Sequence, residues 1–319
     1  MSMRTVWLLI ALLVPYSLGL EATSRRSLWQ FAVALQQSTP LRFLPRAGCL
    51  ALKVRCDNNY SYHVVVDTGS PFLTAPDDQA LKRQTRVTTK TTTEQYGQQV
   101  ADLEWRQCWG VVWLGEAVRI PSATIGLVPS QLQEATGGLF CGLMSRDDHW
   151  PTVLEQSGYR SVVVDYAERR LEWHRGRILV DGDDRVLPLT DLNAYGPNLY
   201  HYAIQCESVV FRTRKGDRVH RDSWSRPVAV VIDTGLTGCI LSDSWREDLD
   251  DPEELTGATL SFGSTLTLDS DPTYWNASCF RLPWFPDDKN HPHILAAGGT
   301  FLQNRRIELD PGSKLLRIS

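Results

Sequence analysis

The sequence predicts an all-β protein assembled from two similar halves, and three observations carry that reading. Seventeen prolines and 22 glycines are spread through the 319 residues alongside many Val, Thr and Trp, a composition of short strands and turns rather than long helices. A β-branched run ends in Asp-Thr-Gly twice, at Asp67-Thr68-Gly69 and at Asp233-Thr234-Gly235. Behind each motif, in the same order, come an apolar pair closed by glycine and a strand–turn–strand unit.

The bulk numbers fit a folded protein. Apolar residues make up 42 % and charged residues 22 %, which excludes bulk disorder. Thirty-three basic against 37 acidic residues give a net charge of −4, too balanced for an electrostatic grip on nucleic acid, and no long basic run appears. No repeat of solenoid or propeller period is present.

Arg4, the apolar run Val6 to Val14 and the small residues Ser17 and Gly19 have the layout of a secretory signal peptide over 1–20. The run is about half the length that spans a bilayer, so no stable membrane insertion is expected after cleavage. The segment 21–46 sets Arg25, Arg26, Arg42 and Arg46 against the single acid Glu21, as a pro-segment or targeting linker would. The expected location is the secretory pathway, secreted or vacuolar and lysosome-like; the alternative is a plastid reached by bipartite targeting. Seven cysteines leave at least one unpaired thiol. An oxidising compartment would allow two or three bridges, with the connectivity open. Asn59 and Asn276 head sequons that permit N-glycosylation there.

The first half, 47–178, reads as a β lobe. His63 to Val66 is a buried strand leading into Asp67-Thr68-Gly69-Ser70. Phe140-Cys141-Gly142 is its apolar–glycine element, and Ser161–Asp165 turns back as Arg170–Trp173. Polar, turn-rich residues 175–185 divide it from the second lobe, 179–319. There Leu187-Pro188-Leu189 and Tyr200–Cys206 are the first strands, and Val228–Ile232 leads into the second motif. Ala296-Ala297-Gly298 and the pair Arg306–Asp310 and Leu315–Ile318 repeat the pattern. Helix signal is confined to Thr152–Gln156 and Ser242–Asp250.

A fold that brings two Asp-Thr-Gly turns together acquires a specific chemistry. Two carboxylates ~3 Å apart at an effective dielectric of ~20 repel by roughly 5 kcal/mol if both ionise. The pair therefore keeps one proton over a broad pH range. One carboxylate can then act as base on a water while the other polarises a carbonyl. Glycine lets backbone approach closely, and threonine can fix the facing loop through its hydroxyl. This chemistry calls for neither metal nor cofactor. The histidines and cysteines have no metal-ligand spacing. Ser70 lacks the elbow and triad order of a serine nucleophile, the scattered tryptophans read as core and cleft packing, and the acidic stretch 247–254 reads as a solvated face.

With these residues in view, the chain resembles the two-lobed, pepsin-like aspartic proteases from about Cys49 to Ser319. Asp67-Thr68-Gly69-Ser70 matches the first motif of that family, Asp233-Thr234-Gly235 the second, and Gly142 and Gly298 the paired glycine elements beneath the dyad. The resemblance implies catalytic roles for Asp67 and Asp233, support from Thr68, Gly69, Ser70, Thr234 and Gly235, and a monomer acting on peptide or protein substrates. It also implies a flap hairpin in which Tyr96, after the Thr-rich run 88–93, covers the substrate and Gly97 lets its backbone pass. The chain departs from the pattern at Thr74, where a flap-holding tryptophan is usual, at Leu236, where a hydroxyl residue follows the second motif, and at Gly299. The segment between Asp67 and Tyr96 is also shortened. The expected function is an acid-active endopeptidase; the alternative is a silent relative that only binds peptides or partners in its cleft.

Overall fold

The computed structural model describes residues 36–319 except 58–59, 97–98, 130–138, 146–150, 181, 197–198, 217, 221–223, 283–284, 286–287 and 289. The expected signal segment, most of the 21–46 linker, Asn59 and Gly97 lie outside the described residues. From Ser38 to Ser319 the chain forms one compact unit.

Its first half contributes β1 (Gln36–Pro40), β2 (Arg42–Leu44), β3 (Cys49–Cys56), β4 (Ser61–Asp67), β5 (Thr74–Pro76), β6 (Thr85–Tyr96), β7 (Gln99–Cys108), β8 (Val111–Leu114), β9 (Val118–Pro121), β10 (Thr124–Val128), β11 (Phe140–Gly142), β12 (Ser161–Asp165) and β13 (Arg170–His174). The second contributes β14 (Leu187–Pro188), β15 (Ala203–Cys206), β16 (Ser208–Thr213), β17 (Arg218–His220), β18 (Val228–Ile232), β19 (Cys239–Ser242), β20 (Leu255–Phe262), β21 (Leu266–Asp269), β22 (Ala277–Phe280), β23 (His293–Ala297), β24 (Arg306–Asp310) and β25 (Leu315–Ile318).

Each half folds one larger and one smaller sheet, and the larger sheets hold the motifs. In the first half β4 runs between β3 and β11, and the parallel pairing with β11 sets Gly142 opposite Asp67. In the second, β18 runs between β15 and β23, with Ile232 opposite Ala297 in another parallel pair. The whole of β18 is buried, as its uninterrupted apolar sequence requires. The hairpin β6–β7 belongs to the smaller sheet of the first half; Tyr96 sits at its tip, paired in register with Gln99.

A third sheet, in the order β1-β13-β12-β24-β25-β14, is made by both halves. The two strand–turn–strand units that the sequence presents as separate copies pair with each other, Asp165 opposite Arg306 and Val163 opposite Glu308. Arg306 is the hub: its guanidinium donates to Asp165 at 2.9 Å, Glu172 at 2.9 Å and Glu308 at 3.1 Å. All three carboxylates are buried. Burial raises the Glu172 carboxyl, but His174, Arg306 and Arg170 outweigh it and hold the group at about 2.

Helices are short. Val153–Ser157 forms as predicted: Thr152 and Glu155 make a reciprocal capping box, and Gly158 ends the helix in the left-handed conformation. The helix expected over Ser242–Asp250 is a shorter 3-10 turn, Asp243–Glu247. The Ser242 hydroxyl accepts from the Ile294 N–H and so leaves the helix end uncapped, while the Asp248 carboxylate is engaged by Ser225 and His293. Two further turns of helix, Gln79–Lys82 and Gly299–Leu302, carry too few residues to show a helical period in sequence.

Replacing Arg306 by Met should cost about 3–5 kcal/mol at neutral pH, because it strands buried carboxylates. Glu172 has a depressed folded-state pKa, so its contribution is complete above its ordinary value of 4.5 and is lost as pH falls towards about 2. Urea unfolding of both proteins at several pH values should therefore show a gap that narrows through that window. A gap independent of pH would remove Glu172 from the account.

Candidate active site

The two Asp-Thr-Gly turns meet tip to tip. The Thr68 hydroxyl donates to the Ile232 carbonyl at 2.7 Å and accepts from the Thr234 N–H at 3.0 Å. In mirror fashion the Thr234 hydroxyl donates to the Val66 carbonyl at 2.7 Å and accepts from the Thr68 N–H at 3.1 Å. Both threonines are fully buried, so each bond satisfies a main-chain group that water cannot reach. The threonine type is explained by this geometry: one hydroxyl both donates and accepts, and a methyl fills the remaining space.

The glycines set the distance between the carboxyls. A Cβ on Gly69 would fall 2.6 Å from Asp233 Oδ2, and one on Gly235 would fall 2.6 Å from Asp67 Cγ. Each motif's glycine is thus the floor against which the other motif's carboxylate rests. Each also donates its N–H to its own aspartate, Gly69 to Asp67 Oδ1 at 2.7 Å and Gly235 to Asp233 Oδ1 at 3.0 Å. The paired glycine elements pack beneath: a Cβ at Gly142 would strike the backbone of Ser70 and Phe72, and one at Gly298 the carbonyls of Leu236 and Gly238.

The carboxyls are not equivalent. Burial pushes Asp67 above the usual carboxylate range, and the Ser70 hydroxyl and Gly69 N–H pull the other way. The Ser70 hydroxyl is buried beside it, with no well-formed hydrogen bond elsewhere among the described residues. Burial pushes Asp233 further, and the negative charge of Asp67 adds to it; only the Gly235 and Leu236 N–H groups oppose. Both carboxyls are thus held above the usual range, Asp233 the further, and the pair shares one proton.

At the departures from the family pattern the structure is specific. The Leu236 side chain packs beside the apolar cluster of the second half that includes Leu192, Val231 and Ile294. The Thr237 hydroxyl lies beside the Cys49 thiol. Thr74 is buried and bridges to β11, accepting from the Phe140 N–H at 2.6 Å. An indole does brace the hairpin, but from inside it: Trp105 on β7 donates to the Thr92 hydroxyl at 2.7 Å and stacks edge-on against Phe72. Asn276 is exposed on the surface.

Sequence reasoning missed three side chains that support the site. The Tyr166 hydroxyl donates to the Thr234 carbonyl at 3.3 Å. The Tyr202 hydroxyl donates to the Leu143 carbonyl at 2.9 Å and accepts from the Ser145 N–H at 2.8 Å, tying the second half to the first. The Cys49 thiol lies under the dyad with its S–H towards the Ala47 carbonyl, 3.1 Å away, and burial with both aspartate charges raises it to about 12. Each follows or precedes a turn with no local pattern that marks it.

No protein-family model matches the sequence, and no curated protein sequence matches it. Among solved structures the chain is similar to the crystal structure of the aspartic proteinase from Irpex lacteus, at a TM-score of 0.56 and 16 % identity, over 89 % of this chain and 97 % of that one. The fold is the two-lobed, all-β fold of the pepsin-like aspartic proteinases.

Thr68→Val keeps the shape of the side chain but leaves the Ile232 carbonyl and Thr234 N–H buried and unpaired. It should lower unfolding free energy by about 2–5 kcal/mol in urea titration, whereas Thr68→Ser should cost about 1 kcal/mol for its lost methyl. Equal losses in the two variants would mean that packing, not the paired hydrogen bonds, holds the turns together.

Proposed function

We propose that this protein is an aspartic endopeptidase, active in acid, that hydrolyses peptide bonds with a water activated between Asp67 and Asp233. The observation that carries the reading is the reciprocal seating of each carboxylate on the other motif's glycine, because it holds two acids that are largely out of water close enough to share one proton. Such sharing is the general logic of aspartic-protease dyads.

In this mechanism Asp67, the charged partner, accepts a proton from the water as its oxygen attacks the scissile carbonyl carbon. Asp233 gives its proton to the carbonyl oxygen. Asp67 then gives its proton to the amide nitrogen while a hydroxyl of the tetrahedral gem-diol returns one to Asp233, the C–N bond breaks, and the dyad is back to the one proton it began with. The Gly69 and Gly235 N–H groups hold the carboxylates through the cycle. An extended peptide would lie between the dyad and the β6–β7 hairpin that carries Tyr96. The substrates are peptides or unfolded proteins met by a monomer in the secretory pathway, in a secreted, vacuolar or lysosome-like setting, with the plastid as the alternative.

Leu236 favours a second reading, a cleft that binds peptides without cutting them, since Asp233 lacks a side-chain hydroxyl donor. The two readings separate in one experiment. Protein lacking residues 1–35, and so keeping β1 and β2, should cleave an unfolded protein substrate in acid, and Asp67→Asn and Asp233→Asn should each lower the rate by at least about a hundredfold. A wild type that binds a statine-type transition-state mimic yet cleaves nothing would establish the binding reading instead.

A further inference from the structure

Two cysteines that the dyad does not use come together on the far end of the first half. Cys56 closes β3 and Cys108 closes β7, so they belong to different sheets, the larger and the smaller one of this half. Their side chains are nearly buried, each 5 % exposed, and the two thiols lie close enough to shift each other's titration. Both line one surface cavity of about 210 Å³, together with Asp57, Arg83, Trp109 and Gly110. Trp109, on the residue after Cys108, is among the most exposed large apolar side chains described, at 67 %. The thiols are therefore shielded from bulk solvent yet open to a small molecule that enters this cavity.

We propose that Cys56 and Cys108 are an oxidation site, converted to a disulfide by exchange with a small-molecule disulfide of the glutathione class. Electron flow is balanced by that partner. The Cys56 thiolate attacks one sulfur of the incoming disulfide, forms a mixed disulfide and expels one thiolate. Cys108 loses its proton, attacks the Cys56 sulfur and expels the second. Two protein thiols are oxidised and one external disulfide is reduced to two thiols.

The order of attack follows from the unequal environments of the two thiols. The Cys108 S–H steadies a negative Cys56 sulfur and lowers its pKa, against burial and the charge of Asp57. Donating that proton, together with burial, raises Cys108. Cys56 is thus the attacking thiol and Cys108 the resolving one. The bond would join β3, which continues through β4 to Asp67, to β7, the returning limb of the hairpin that carries Tyr96.

Peptide mapping decides the matter with wild-type protein alone. After exposure to oxidised glutathione and alkylation of remaining thiols, a tryptic digest made without reductant should contain residues 56–82 linked to residues 107–119, with the loss of two hydrogens. In Cys108→Ser the reaction should stop at a glutathione adduct on Cys56. In Cys56→Ser an adduct on Cys108 should form about tenfold more slowly or not at all. Both thiols remaining open to alkylation, or Cys56 linked to another cysteine, would overturn the site. Equal adduct rates in the two variants would overturn the order of attack. If the variants do not fold, quenching wild type at early times should find the adduct on Cys56 before the cross-link, and an adduct first on Cys108 would count against the proposal.

Discussion

The paired threonine hydroxyls at the meeting of the two turns are the constraint on which the rest of the structure depends. Thr68 and Thr234 satisfy four main-chain groups that would otherwise be buried without partners. Because each hydroxyl spends both its donor and one acceptor on the opposite half, neither turn can complete its own hydrogen bonding alone. The cost of separating the halves is thereby concentrated directly beneath the carboxylates. The mixed sheet around Arg306 and the hydroxyls of Tyr166 and Tyr202 add ties elsewhere, but the threonines lock the two turns together and the glycines between them set the distance of the carboxyls.

That mechanical symmetry supports an electrostatic asymmetry. Gly69 and Gly235 give equivalent N–H bonds to Asp67 and Asp233. The difference begins one residue later, where Ser70 offers a hydroxyl to Asp67 and Leu236 offers a methyl-rich side chain that packs away into its own half. Burial raises both acids, and Asp233, with fewer donors, is raised further. Glu172 shows the opposite balance within the same molecule: equally out of water, it remains charged far into acid because cations surround it.

Much of this was legible in the sequence where the signal is local. A β-branched run ending in Asp-Thr-Gly needs only neighbouring residues to be recognised, and β18 and β24 occupy the spans their sequences indicate. Contacts between distant residues left no such trace. The hydroxyl of Thr68 and the carbonyl of Ile232 are 164 residues apart, and nothing in either segment names the other. The pairs at 161–174 and 306–318 read as two copies of one unit, because a strand buried on both faces does not reveal its partner. That they share one sheet, with Arg306 among three carboxylates, emerged only in three dimensions. The same holds for Cys56 and Cys108: the odd cysteine count left any pairing open, and only the folded chain brings these two strand ends to one cavity.

The account's central claim is that the dyad holds one proton, on the side of Asp233, well above the usual carboxylate range. Carbon-13 NMR of protein labelled at the aspartate side-chain carboxyl, assigned with Asp67→Asn and Asp233→Asn, measures it directly. One dyad resonance should keep its protonated position at pH values where ordinary aspartates are fully ionised, and Asp67→Asn should move its titration downward by removing the neighbouring charge. Two dyad resonances that both titrate with the surface aspartates would contradict the account.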